Sequence, residues 1–411
     1  VSEEVDAVDL AVTGSLPPEL DGRLLRIGPN PVEAPDPDNY HWFTGDGMVH
    51  GVRLGDGRAQ WYRNRFVRSA HVAEVLGETL PGGPTGGMGD TTNTHLISHA
   101  GRTLALVEGS ALPNELTDDL DTVGRYDFEG TLDGTFSVHT KLHPATGELH
   151  AVTHFWEWDH VRHVVVGADG RVRRSEHVAV DDGPMIHDCS LTESSVLVYD
   201  LPVTFDLDVA MSGRFPYRWR EGRAARVGVL PREGRRDEVV WCDVEPCYVY
   251  HPLNAWDADD GTIVIDLIRH SKMLASDQRG PNEGAALLER WTVDPATRSV
   301  RRQQLDDRSR RRRVAVELCV RPDDRPIRDH RRGRPGHGSR ARGPDPAAGE
   351  SAVRVPQLVR PDPLIRGAGQ ASAWVTGSSP IQTLNVFLSL ICWMNRSCSG
   401  GSDAWVWGDL K

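Results

Sequence analysis

The 411-residue sequence predicts an all-β fold, a β-propeller in preference to a sandwich, and three observations carry that prediction. Short β-rich runs recur between residues 20 and 305. Gly, Asp, Asn and Pro punctuate them, and few segments hold a helical period of any length. Strand–turn–strand units repeated over so long a span are more than a sandwich ordinarily needs.

The runs follow one another in order. RLLRIG (23–28), MVHGVRL (48–54) and RAQWYRNRFV (58–67) open the series, and RTLALVE (102–108) and ELHAVTHF (148–155) continue it. ATGE (145–148), ADG (168–170) and DADDGT (257–262) carry turn chemistry, so the runs beside them pair as hairpins. HVVVG and RVRRSEHVAV flank the ADG turn within 163–180. SVLVYDLPV (195–203), VVWCDV (239–244), TIVIDLI (262–268) and LLERWTVD (287–294) complete the list. Counted over the whole span 20–305, of which these runs are examples, the strands number roughly sixteen, or about four blades at four strands each.

A composition of 38% hydrophobic and 26% charged residues excludes a disordered or fibrous chain. The longest apolar stretch, 381–394, contains Gln382, Thr383, Asn385 and Ser389 and is too short to span a membrane as a helix. The opening VSEEVDAVDLAV has neither the basic start nor the apolar core of an export signal, so the expected location is cytoplasmic. The six cysteines, at 189, 242, 247, 319, 392 and 398, show no C-x-x-C spacing and read as reduced thiols.

Charge divides the chain. Formal net charge is −12 overall, but residues 1–307 carry −21 and residues 308–411 carry +9. Segment 308–366 holds 16 Arg and no Lys, mixed with Pro, Gly and Asp, and its apolar residues follow neither period. A basic arm for nucleic acid would usually mix Lys with Arg, so no nucleic-acid partner is expected. A GC-rich gene translated out of frame gives such a composition, and that is the favoured reading. The expected organisation is a β-domain over 1–307, a divergent arginine-rich segment over 308–366 and an unassigned tail over 367–411.

Seventeen histidines is an unusual number, and three of them stand in matching contexts. His139 lies in FSVHTKLHPATGELHAV, His187 in PMIHDCSLTESSVLVYDLP and His251 in CYVYHPLNAWD, each in a β-rich run beside Pro, Asp or Asn. Spacings of 48 and 64 residues exclude a local finger-type site but suit ligands delivered by separate blades to one axis. Imidazole suits iron, copper, zinc and nickel. Spacing alone leaves the ordinary alternative open, that these are hydrogen-bonded core histidines.

The surrounding blocks resemble the carotenoid cleavage oxygenase family. They are PPELDGRLLRIGPNP (17–31), HWFTGDGMVHGVRL (41–54), YRNRFVRS (62–69), TNTHLISHAGRTLALVEGSALPNEL (92–116), HTKLHPATGELHA (139–151), MIHDCSLTESSVLVYDLPVTFD (185–206), RVGVLPR (226–232) and CYVYHPLNAWD (247–257). They run in family order over about 20–305. The resemblance implies a seven-bladed β-propeller whose axis holds a non-haem Fe(II) on four histidines, with glutamates fixing the imidazoles from behind. His139, His187 and His251 match the first three iron ligands, and Glu108 in LALVEG matches one such glutamate. His41, His50, His95, His99, His143, His150 and His154 fall outside the ligand positions. GPNP (28–31) and FTGDGMVH (43–50) read as turn chemistry first and substrate entrance second, GVLPR (228–232) as scaffold, and Asp188 and Asn254, adjacent to ligand positions, as residues that orient local backbone ahead of tuning the site.

The sequence departs from the family after LDDRS (305–309), where RRRRVAV replaces the expected E-F-P motif with its glutamate. The fourth ligand should lie in an H-G motif near the C-terminus. His337 precedes Gly338, and His330 is close by, but no β-run surrounds either and neither is expected to reach the iron. The propeller is therefore expected to be incomplete and its activity impaired.

The function implied is an Fe(II) dioxygenase that inserts O2 across a conjugated C=C bond of a carotenoid or apocarotenoid and yields two carbonyl products. Substrates so long and apolar call for a tunnel of aromatic and aliphatic side chains and for at most peripheral membrane contact. Stilbene-cleaving relatives use a Lys–Tyr pair on the phenol. Before residue 308 the lysines are Lys141 and Lys272 alone, which favours the polyene. The rivals from other classes are a propeller that binds a hydrophobic ligand without catalysis, and a hydrolase or isomerase on the same iron scaffold. Nothing in the sequence encodes the oligomeric state.

Overall fold

The structure, a computed structural model, describes residues 3–305 apart from 37–39, 88, 110 and 279–282. Residues 306–411, with His330 and His337 and the segments expected to be divergent, lie outside the described residues. Twenty-two strands make up the fold, and twenty of them form five four-stranded units.

In the first unit β1 (Val5–Val8), β2 (Gly22–Pro29), β3 (Gly47–Gly55) and β4 (Arg58–Phe66) pair in the order β1-β4-β3-β2. The helix α1 (Ala70–Leu76) leads to the second, formed by β5 (His95–His99), β6 (Arg102–Leu106), β7 (Asn114–Leu116) and β8 (Thr122–Arg125). The third is β9 (Lys141–Leu142), β10 (Leu149–Thr153), β11 (His160–Val166) and β12 (Val172–Ala179). A small hairpin of β15 (Val203–Phe205) and β16 (Tyr217–Trp219), enclosing α2 (Leu207–Met211), interrupts the fourth. That unit is β13 (Cys189–Leu191), β14 (Ser195–Asp200), β17 (Ala225–Pro231) and β18 (Val240–Val244). The fifth is β19 (Tyr248–Asp257), β20 (Ile263–His270), β21 (Leu287–Asp294) and β22 (Ser299–Gln304). Each unit is an antiparallel meander in the manner of a propeller blade. A single parallel pair, Asp243 with Ser299, joins the outer strands of blades four and five.

The described residues thus hold five blades where the sequence suggested about four. The strands not expected are mostly short inner or outer ones such as β7, β9 and β13, of two or three residues, in which no alternation can show.

The core consists of apolar layers between successive blades. Leu25 and Val49 of blade one meet Leu96, Ala105 and Leu116 of blade two. Ile97, Leu104 and Leu106 meet Leu149, Ala151, Val164 and Val166 of blade three. Val152, Val161 and Val178 meet Val196, Val198 and Leu230 of blade four, and Leu197, Tyr199 and Val227 meet Tyr248, Ile265 and Trp291 of blade five. Strand side chains alternate between faces, so β14 sends Val196 and Val198 one way and Leu197 and Tyr199 the other. That is why SVLVYD is apolar almost throughout, and why all six of its residues are buried.

The loop with the FTGDG motif is held both by its own turn, in which the Thr44 N–H donates to the His41 carbonyl at 2.9 Å, and by its neighbour. Asn93 Nδ2 donates to the carbonyls of Phe43 (2.8 Å) and Gly45 (2.6 Å). Gly47 packs so closely on Thr92 that a Cβ there would collide with the Thr92 carbonyl. Among the described residues no helix is long and apolar enough to cross a membrane.

Candidate metal centre

His139 lies two residues before β9, His187 two residues before β13, and His251 inside β19. All three therefore lie on, or just before, the first strand of a blade. At His251 the register between β19 and β20 shifts from Val249 to Pro252, and a bulge of this kind re-aims the side chain it carries.

The three side chains meet. His139 Nε2 and His187 Nε2 are 3.0 Å apart, His187 Nε2 and His251 Nε2 are 3.2 Å apart, and the three ligand atoms lie within 4.8 Å of one another. The rings are tilted at 58° to 82°, so they converge through their nitrogens rather than by stacking. Glu108, two residues past β6, lies behind them and accepts a 2.5 Å hydrogen bond on Oε2 from His187 Nδ1. Burial alone would push the Glu108 carboxyl up, yet the adjacent His187 ring outweighs it and holds the group below the usual carboxylate range.

With the His187 ring in its neutral form and its one N–H directed at Glu108, Nε2 is left as a bare lone pair. Burial, followed by the neighbouring imidazoles, holds His139 and His251 well below the ordinary histidine range. The three rings point nitrogens at one place. A cation satisfies all three. Metal–nitrogen bonds of about 2.0–2.1 Å place adjacent nitrogens about 3.0 Å apart at right angles and about 3.4 Å apart in a tetrahedron. The donor set can hold a metal ion, and it is the one such cluster found among the described residues.

The other histidines are engaged elsewhere. His50 bonds Tyr62 Oη (2.9 Å), His99 the Gly167 carbonyl (2.8 Å), His143 Glu193 (3.1 Å) and His150 His163 (3.0 Å). His95, pushed down to about 4 by burial and then by Lys141, has its ring 6.1 Å from that of His139 and is outside the cluster.

Two sets of neighbours were not read from the sequence. His154 Nε2 lies 3.8 Å from Glu108 Oε1 and 3.3 Å from Tyr217 Oη, so Glu108 sits between a ligand-type imidazole and a second, buried one. Tyr217 in turn touches Phe205 and Phe215, and Phe215 packs on Phe43 and His41, forming an aromatic cluster beside the centre. Lys141 is ion-paired with Asp188. Its near-uniqueness among the lysines of this region was the one sequence signal for it.

Fold and site together define an all-β propeller in which three histidines from separate blades could hold a metal ion. The family model described as retinal pigment epithelial membrane protein matches residues 1–341. A carotenoid cleavage oxygenase of Mycobacterium tuberculosis is 46% identical over 356 residues, covering 75% of this chain and 71% of the relative. Among solved structures, the lignostilbene dioxygenase of Pseudomonas brassicacearum aligns with a TM-score of 0.66 at 28% identity, over 75% of this chain and 69% of the other. Cobalt-substituted apocarotenoid oxygenase of Synechocystis aligns with a TM-score of 0.63 at 27% identity, over 74% and 70%. The chain belongs to the carotenoid cleavage oxygenase family.

Proposed function

We propose that the protein is a non-haem Fe(II) dioxygenase that cleaves a conjugated C=C bond of a carotenoid or apocarotenoid with O2 and yields two carbonyl products. The observation that carries this reading is the convergence of three imidazole nitrogens, brought by separate blades, within 4.8 Å of one another. His139, His187 and His251 would hold the metal, and Glu108 would fix the tautomer and ring plane of His187. When bound, the ferrous ion supplies an open position for O2. The chain's own part is to orient the imidazoles, keep them unprotonated and surround the centre with apolar and aromatic side chains. No side chain is required as general acid or base. A cobalt-substituted relative supports metal exchange as a practical probe of the site.

Both described lysines are engaged, Lys141 with Asp188 and Lys272 with Glu221 at the surface. That supports the polyene over a phenolic stilbene, although a lignostilbene dioxygenase is among the similar structures. Exposed Leu207 (55%) and Met211 (80%) on α2 support peripheral contact with lipid, the source of such substrates. A cytoplasmic location, the absence of a nucleic-acid partner and a domain boundary near residue 307 belong to the same reading.

The test is turnover by Fe(II)-loaded protein of an apocarotenal and a hydroxystilbene under isotopically labelled O2. The expected result is cleavage of the apocarotenal with label in the carbonyl products. Turnover of the stilbene alone would overturn the substrate class, and unlabelled products would point to a hydrolase or isomerase. Apocarotenal bound but unchanged would favour a binding propeller.

A further inference from the structure

His139 and His187 belong to different sheets, and no backbone ladder joins β9 to β13. The apolar layer between blades three and four brings the two strands together, and a contact closer to the histidines is available to fix the 3.0 Å between their nitrogens. Two residues past His139 stands Lys141, and one past His187 stands Asp188. Lys141 Nζ lies 2.8 Å from Asp188 Oδ1 and 3.0 Å from Oδ2. Asp188 is buried, and its Oδ1 also accepts the Cys189 N–H at 2.6 Å, so one carboxylate holds the backbone of blade four and the side chain of blade three together. Cys189 Sγ, 3.9 Å from the His139 carbonyl, adds a weaker contact between the same two segments.

We propose that Lys141 and Asp188 are positioning residues, a clasp across blades three and four that sets the spacing of His139 and His187. The proposal rests on the reading of the histidines as metal ligands. Coordination tolerates errors of only about 0.2 Å in ligand distance, so losing the clasp should weaken metal binding without removing a ligand.

Electrostatics and positioning predict different outcomes here. Losing the ammonium in Lys141→Met leaves a negative charge beside the centre, which by Coulomb attraction alone would strengthen cation binding. Losing the carboxylate charge in Asp188→Asn leaves a positive one, which alone would weaken it. A clasp is broken by either change. The experiment is Co(II) titration of the full chain against a competing chelator, with circular dichroism and thermal midpoint recorded for each variant. Both single variants are expected to bind Co(II) at least about tenfold more weakly while folded, the scale of losing an outer-shell partner. The double variant is expected to be no weaker than the worse single one, as two halves of one contact require. Shifts of opposite sign, or wild-type affinity in folded single variants, would overturn the clasp.

Should either single variant fail to fold, Lys141→Arg keeps the charge and changes the reach. It is expected to alter the Co(II) absorption spectrum, and an unchanged spectrum would overturn the proposal. Absence of Co(II) binding in the wild type would overturn the metal reading and the clasp with it. Binding in the wild type with unaltered variants would overturn the clasp alone.

Discussion

In the proposed centre Glu108 would act without touching the metal, through the His187 ring. By accepting the His187 Nδ1 proton it directs the Nε2 lone pair at the other two histidines. Glu108→Gln should therefore lower Co(II) or Fe(II) affinity about 10–100-fold with the fold intact, measured by chelator competition. Away from the centre, His150 and His163 stack at 14° and 5.3 Å between β10 and β11, and share a 3.0 Å hydrogen bond. Burial, opposed at His150 by Glu148 and reinforced by Arg173, pushes them down to about 4 and about 3; His143 and Arg232 also act on His150, and Arg174 on His163. The unfolded chain, with histidines near 6.5, binds more protons over that interval. Stability conferred by the neutral pair is thus lost as pH falls from about 6.5 toward 4, at about 1.4 kcal/mol per pH unit for each proton. The thermal midpoint should fall across that range, and His163→Gln, which cannot titrate, should flatten the slope; an unchanged slope would exclude the pair as its source.

At the level of elements, the sequence reveals strands in proportion to their length. β3, β4, β11, β12, β20 and β21, of seven to nine residues, each stand out as β-rich runs, whereas β9 has two residues and β13 three. SVLVYDLPV reads as one strand but divides after Asp200 into β14 and β15, which belong to different sheets. The three histidines and Glu108 were legible because whole blocks around them match a family. His154, Tyr217 and Asp188 were less so, since their contacts arise only when separate blades pack. Gly47 is a case where local reading gave a turn residue and the fold adds a reason: close approach of Thr92. Gly47→Ala should cost about 1–3 kcal/mol, the usual range for overpacking, seen as a lower urea midpoint at unchanged slope.

For the whole molecule, stability lies in the apolar layers between blades, so each blade depends on its neighbours, and the ligand-bearing strands are placed by that stacking. The change of charge from −21 to +9 comes after residue 307, beyond the last family block at 247–257, while the family model matches on to residue 341. The nucleotide sequence around codons 305–315 is expected to encode E-F-P in another frame, followed by a β-rich H-G segment; absence of both from the other frames would contradict that origin. The central claim is that three distant histidines share one metal ion. Its most direct test is the Fe(II) content of anaerobically loaded protein, compared with that of a variant carrying His139→Ala, His187→Ala and His251→Ala. The account predicts one equivalent per chain in the former and none in the folded variant. Equal iron in both would contradict it.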